Sequence, residues 1–219
     1  MIGLFLGDTD FSELVLNKIK KLNKKYFIID LSKNNIFKKN SNSYRVSIGQ
    51  FGKILKILKE NKCKKVIFAG KINKPKFSEL KLDITGIYYI SRIIKAAKKG
   101  DAAILKELIK ILSLEKVKVI NSVNFTPELS LSRGNYSKLK PNKNDHRDIK
   151  KGLKILLKSN AYDHVQAVIV RNNFVFKETS MGTKKLIRSI KKTKKNKGVL
   201  IKFPKKKQDL RADLPTVGL

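Results

Sequence analysis

Asp209 and Asp213 stand in Asp-x-x-x-Asp spacing within the tail Lys202-Phe203-Pro204-Lys205-Lys206-Lys207-Gln208-Asp209-Leu210-Arg211-Ala212-Asp213-Leu214-Pro215-Thr216-Val217-Gly218, the densest polar cluster of the chain. Two prolines break this segment, so the carboxylates do not share a helix face. In a loop, such a pair offers hard oxygen ligands to a divalent cation, and Lys202 and Arg211 could then bind phosphate. The plainer reading pairs both carboxylates with neighbouring Lys and Arg at the surface. Three glycine turns are further candidates. Gly7-Asp8 follows an apolar run and precedes a helical stretch, where a phosphate-binding turn would sit. The run Gly7-Asp8-Thr9-Asp10 is not G-x-G-x-x-G, however, and its two carboxylates would repel a pyrophosphate. An ordinary strand-to-helix turn is the better reading there. Ala69-Gly70-Lys71 follows a second apolar run; its glycine would let a ligand approach the backbone and Lys71 would supply a cation, against a plain turn carrying a surface lysine. Lys99-Gly100-Asp101 puts a glycine and a carboxylate at a helix start, with Asp101 read as its N-cap. His146 and His164 have no Cys or Glu at ligand spacing, and Cys63 reads as a small core residue.

The elements that must position these residues follow from periodicity. Short apolar runs at 2–6, 26–31, 66–69 and 117–120 alternate with helical patterns at 12–22, 51–58, 87–98 and 101–112. That alternation predicts βαβ units around a parallel sheet. From 122 to 144 the texture turns to Ser, Asn, Pro and Gly, which reads as a linker or irregular crossing. A helix is expected over 148–157. Strands over 167–170 and 174–177 flank Arg171-Asn172-Asn173, a hairpin turn because Asn tolerates positive φ. A helix over 182–190 and a strand over 199–203 complete the pattern. The expected organisation is α/β: an N-terminal three-layer domain over 1–122, a linker over 123–144, and a smaller α+β domain over 145–219 that stops just after a motif and looks unfinished.

The 219 residues include 51 Lys and Arg against 17 Asp and Glu, a formal charge of +34. With 41% hydrophobic residues the chain can build a core, which excludes wholesale disorder. No apolar run reaches the ~18–20 residues of a spanning helix, and MIGLFLGDTD lacks a basic n-region and a small-residue cleavage site. One cysteine excludes a disulfide framework and a multi-cysteine zinc site. These features imply a cytosolic chain. The charge has two compatible readings. Lys, Asn and Ile rise together, as in KKLNKK and NNIFKKN, which an AT-rich coding sequence produces; a basic surface also suits an anionic lipid face or nucleic acid. No RNP-like aromatic motif appears, so no specific nucleic-acid partner is expected.

Taken in order, several segments resemble the UDP-2,3-diacylglucosamine pyrophosphatase family of lipid A biosynthesis, in the form unrelated to calcineurin-like phosphoesterases. They are Gly49-Gln50-Phe51-Gly52-Lys53-Ile54, Phe68-Ala69-Gly70-Lys71-Ile72-Asn73-Lys74-Pro75-Lys76-Phe77, Ala97-Lys98-Lys99-Gly100-Asp101-Ala102-Ala103-Ile104-Leu105, Arg133-Gly134, Met181-Gly182-Thr183 and the tail. The resemblance implies a Rossmann-like N-terminal domain and a distinct C-terminal domain with a lipid-linked nucleotide sugar held between them. The implied reaction is hydrolysis of its pyrophosphate with Mg²⁺ or Mn²⁺, giving UMP and 2,3-diacylglucosamine 1-phosphate. The family motif D-L-P-x-[IV]-G matches Asp213-Leu214-Pro215-Thr216-Val217-Gly218, which makes Asp213 the implied catalytic residue and, with Asp209, the implied metal ligand. Gly7, Asp8, Gly70, Lys71, Gly100, Asp101, Arg133, Gly182, Thr183, Lys202, Gln208 and Arg211 would line the substrate cleft. The acyl chains would need apolar walls, for which Phe125, Leu129, Leu131, Ile87 and Tyr88 are candidates, core packing being the alternative for each. Such an enzyme would work in the cytoplasm, peripheral on the inner face of the inner membrane of a Gram-negative cell, drawn there by its basic surface; a homodimer stays open.

Three departures from the family are visible. Its glycine run after the first strand is here Gly7-Asp8-Thr9-Asp10. Its Glu-Gly-Thr-Asp is here Met181-Gly182-Thr183-Lys184, so two carboxylates give way to a thioether and a cation. Family members also continue some tens of residues past the D-L-P motif, so the sequence is expected to be incomplete or to belong to a shortened paralogue. Two rival readings accompany the enzyme: a silent family member that binds the lipid product, and a basic nucleic-acid-binding protein resting on charge alone.

Overall fold

Four of the apolar runs become parallel strands of one sheet. The computed structural model describes residues 1–72, 77–158, 165–179, 181–191, 198–204, 209 and 211. The chain divides into two units, Met1–Leu131 with Asp209–Asp213, and Ser132–Gln208 with Leu214–Leu219. In the first, β1 (Ile2–Leu6), β2 (Tyr26–Asp30), β3 (Ser43–Arg45), β4 (Lys65–Ala69) and β5 (Lys118–Val119) lie in the order β3-β2-β1-β4-β5, all parallel. This is the Rossmann-like strand order. Helices α1 (Asp10–Lys21), α2 (Phe51–Glu60), α3 (Ile84–Ala97) and α4 (Asp101–Leu114) belong to the same unit.

Alternation along the strands separates two cores. Phe5, Phe27, Ile29, Val66 and Val119 pack with Ile54, Leu58, Ile109 and Leu112 of α2 and α4. Leu4, Leu6, Ile28 and Ile67 pack on the opposite face with Val15, Leu16 and Ile19 of α1. Both faces are covered, as a parallel sheet requires. The strand β3 has no counterpart in the sequence reading: Ser43-Tyr44-Arg45 is half-exposed to exposed at the sheet edge, and three polar or amphipathic residues carry no apolar signal.

The expected boundary at residue 122 moves to 131/132. Ser122–Asn124 and Pro127–Leu129 form two 3₁₀ turns, the first capped by the Asn121 side chain on the Val123 amide at 2.9 Å, with Ser122 and Thr126 buried. Polar composition suggested a linker, but these hydroxyls and amides satisfy one another inside the first unit. A second difference concerns Asp101. Gly100 is the N-cap of α4, and Asp101 is already the first helical residue, where a carboxylate complements the helix dipole instead of capping.

Helices α1, α2 and α4 end alike. In α2 the Lys62 amide donates to the Lys59 carbonyl (2.9 Å) and the Cys63 amide to Leu58 (2.9 Å); Asn23/Lys24 and Lys116/Val117 repeat the pattern. These are Schellman caps, which favour glycine or asparagine in the left-handed position. Asn23 (φ 48°) fits; Lys62 (φ 46°) and Lys116 (φ 59°) do not. Lys116→Gly is therefore expected to raise stability by about 1 kcal/mol, read as a higher urea midpoint.

The second unit carries α5 (Lys143–Lys158), β6 (Ala167–Arg171), β7 (Phe174–Lys177), α6 (Gly182–Ser189) and β8 (Val199–Lys202), with an antiparallel sheet in the order β7-β6-β8. The hairpin turns as the sequence indicates, with Asn172 (φ 48°) and Asn173 (φ 67°) both left-handed, the geometry of a type I′ turn. Leu156 of α5 packs on Val168, Val170 and Ile201, while Leu186 of α6 packs on Ala167 and Ile169 of the other face.

Candidate functional site

The order β3-β2-β1-β4-β5 reverses direction between β1 and β4, and ligands of open parallel sheets bind outside the carboxyl ends of the strands at that point. Gly7-Asp8 and Gly70-Lys71 follow β1 and β4 there, so the fold brings these four predicted residues together. Their loops are joined by backbone bonds, Gly7 N–H to the Ala69 carbonyl (3.0 Å) and Asp8 N–H to the Lys71 carbonyl (2.7 Å). A Cβ on Gly7 would lie 2.2 Å from the Lys71 oxygen. Gly70 has φ +85°, and a Cβ on it would lie 2.0 Å from Ser12 Oγ. Both glycines are needed for the two loops to touch. The hydroxyl of buried Ser12 donates toward the Gly7 carbonyl (2.9 Å) and the Ala69 carbonyl (3.0 Å), tying α1 to both strand ends. Sequence reasoning missed Ser12 because its partner Ala69 is remote along the chain.

The loop after β2 joins the same end. Asp8 Oδ1 accepts the Lys33 amide at 2.8 Å. Asp30, fully buried at the end of β2, accepts from the Ser32 amide (2.9 Å) and hydroxyl (2.5 Å), from the Phe37 amide (3.3 Å) and from Arg45 Nη1 (3.3 Å). Arg45 also donates to the Ser32 carbonyl. Asp30 is thus a structural carboxylate holding the β2 loop and the edge strand β3, and it too went unseen in the sequence.

Asp83 ties two helix starts. Its Oδ1 accepts the Gly86 amide of α3 (2.7 Å) and its Oδ2 the Lys53 amide of α2 (3.0 Å). Burial opposes its ionisation, but bonds from the Gly52, Gly86 and Lys53 amides outweigh it and hold the carboxyl below the usual aspartate value.

In the tail, Asp209 and Arg211 are described; Gln208 and Asp213 lie outside the described residues. Arg211 grips Asp209 in a fork, Nη2 to Oδ2 at 2.6 Å and Nε to Oδ1 at 2.9 Å. The guanidinium holds the Asp209 carboxyl below its usual range against the opposing effect of burial, and Lys106 of α4 adds to this. Both Asp209 oxygens are therefore engaged, and Arg211 is neutralised by the same contact. Among the described residues no cluster of three His, Cys, Asp or Glu could hold a metal ion; Asp213, the expected partner of Asp209 in such a site, lies outside them.

The second unit places Gly182 and Thr183 at the start of α6 and Lys202 at the end of β8. Thr183 Oγ1 donates to Oε1 of buried Glu178 (2.6 Å), whose Oε2 accepts the Gln166 and Ala167 amides at 2.9 and 3.0 Å. Where the family motif would place carboxylates beside Thr183, Glu178 is the one this chain sets against it. Glu178→Ala would remove the acceptor of two backbone amides and of the Thr183 hydroxyl. It is expected to cost roughly 1–3 kcal/mol, seen as a lower urea midpoint, without changing the secondary structure. Arg133 is exposed between Leu131 and the start of α5, away from any bond that would position it among the described residues.

Of the apolar candidates, Phe125 packs against the α1-side core. Leu129, Leu131, Ile87 and Tyr88 are exposed, so core packing does not claim them. On α3, Ile84, Ile87 and Tyr88 form one stripe, with Ile84 87% exposed.

Residues 1–129 match the model of the LpxI N-terminal domain and residues 132–219 that of the LpxI C-terminal domain. The chain belongs to the LpxI family. It is 33% identical over 183 residues to the UDP-2,3-diacylglucosamine pyrophosphatase LpxI of Caulobacter vibrioides, a match that takes in 80% of this chain. The chain spans 65% of that relative's length. The division between the two LpxI domains falls within two residues of 131/132, where the structural units part.

Proposed function

We propose that this LpxI-family chain hydrolyses the pyrophosphate of UDP-2,3-diacylglucosamine, releasing UMP and 2,3-diacylglucosamine 1-phosphate for lipid A synthesis. The observation that carries the reading is the match of both LpxI domains, with a Caulobacter relative named for that activity. The crevice end of the sheet supports it, with Lys71 exposed beyond β4 to meet phosphate. The stripe Ile84, Ile87, Tyr88 offers apolar surface for an acyl chain, each buried CH₂ contributing about 0.8 kcal/mol. Asp213 is assigned to orienting the attacking water, whose oxygen bonds to phosphorus as the bridging P–O bond breaks. Mg²⁺ or Mn²⁺, if used, would be held by Asp213, with Asp209 as a second oxygen donor once released from Arg211, and would neutralise pyrophosphate oxygens. No described helix is long and apolar enough to cross a membrane. The enzyme would reach its lipid from the cytoplasmic face, attracted by the +34 charge.

The test is UMP release from UDP-2,3-diacylglucosamine with Mg²⁺, with Mn²⁺ and with a chelator. Release abolished by the chelator supports both hydrolysis and metal dependence. Release that survives the chelator keeps the hydrolase and removes the metal. Tight binding of the lipid product without release would make the chain a silent binder.

A further inference from the structure

The opposite end of the sheet, at the amino termini of the strands, carries an open groove of about 700 Å³ within the first unit. Five lysines line it: Lys24, Lys62, Lys64, Lys65 and Lys118. Lys65 and Lys118 are register partners on adjacent parallel strands, so two like charges stand side by side, an arrangement that destabilises a sheet. None of the five has an ion-pair partner among the described residues; the nearby carboxylates Glu60 and Glu115 face Lys56 and Lys59 instead. Lys62 also occupies the left-handed cap position that disfavours it. The carboxyl ends of α1, α2 and α4 approach here, but each offers only about half a negative charge. Their sum leaves most of the lysine charge uncompensated. Beneath the ammonium groups the floor is apolar, formed by Ile2, Ile120 and Phe125.

We infer that this groove binds a small phosphate-bearing anion with an apolar body. Its volume falls within the ~300–1,000 Å³ of small-molecule pockets, and the lysines would hold the phosphates while the body rests on the floor. Repulsion between Lys65 and Lys118 is what such a ligand would relieve. The groove lies at the other end of the strands from the proposed catalytic crevice, so the inference stands or falls independently of hydrolysis.

The experiment measures binding of three probes at 0.15 M salt: inorganic pyrophosphate, ADP, and dihexanoyl phosphatidic acid below its micelle concentration. The triple change Lys62→Gln, Lys65→Gln, Lys118→Gln is compared with an equal charge loss elsewhere, Lys38→Gln, Lys39→Gln, Lys154→Gln. At about fivefold per lysine, the groove variant is expected to weaken ADP or phosphatidic acid binding more than tenfold, and the control variant less than twofold. The tighter of those two probes tells a nucleotide from a lipid head group, and both should exceed pyrophosphate. Lys62→Gly, which relieves the cap, should raise the melting temperature yet weaken binding, so a folding defect cannot mimic the result. Equal weakening in both triple variants, no binding by the wild type, or pyrophosphate binding as tightly as the larger probes would each overturn the inference.

Discussion

Gly70→Ala is expected to destabilise the first unit by roughly 2–5 kcal/mol. Two costs add. The residue sits at φ +85°, where a side chain costs about 1–2 kcal/mol. Its new Cβ would also lie 2.0 Å from Ser12 Oγ, which cannot retreat because Ser12 is buried and bonded to both strand ends. Overpacking of this kind costs about 1–3 kcal/mol. The double variant Gly70→Ala, Ser12→Ala removes the clashing oxygen and should recover part of the loss, leaving the backbone strain. Urea unfolding of the four proteins of this cycle checks the claim. Additive losses would mean that Ser12 and Gly70 do not meet.

Asp83→Ala is expected to cost about 2 kcal/mol, because one carboxylate caps the starts of two helices and each cap is worth ~1 kcal/mol. Asn in its place keeps acceptors but one oxygen fewer, so it should fall between alanine and wild type. The pH dependence has a definite sign. The native Asp83 carboxyl is more acidic than in the unfolded chain, so its contribution is complete above the ordinary aspartate range near pH 4. It fades as pH falls through the lower native value. Wild type should therefore lose stability on acidification below about pH 4 more steeply than Asp83→Ala.

Much of the fold was legible because burial on both sides of a parallel sheet writes continuous apolar runs: Leu4-Phe5-Leu6, Phe27-Ile28-Ile29 and Val66-Ile67 announce themselves. The Asn172-Asn173 turn was legible because its side chains tolerate left-handed backbone. What stayed hidden depends on partners remote in sequence. Asp83 lies ahead of the helical pattern at 87–98, and its second bond, to Lys53, requires α2 to be docked beside α3. Arg45 and Asp30 look like ordinary surface charges until β3 pairs with β2. Gly70 reads in the sequence as either a ligand approach or a plain turn; that the space a Cβ would take is filled by Ser12 shows only in the fold. In the tail, the plainer of the two sequence readings describes Asp209, both of whose oxygens accept from the neighbouring Arg211; the Asp-x-x-x-Asp spacing by itself does not reveal it. Spacing names the donors and not their competitors.

The proposed hydrolysis turns on Asp213, and its test is UMP release from UDP-2,3-diacylglucosamine by the wild type beside Asp213→Asn, with thermal melting of both proteins. Release by the wild type is expected, with a loss of at least about a hundredfold in the variant and the two melting temperatures within a few degrees. Equal rates in the two proteins would contradict it.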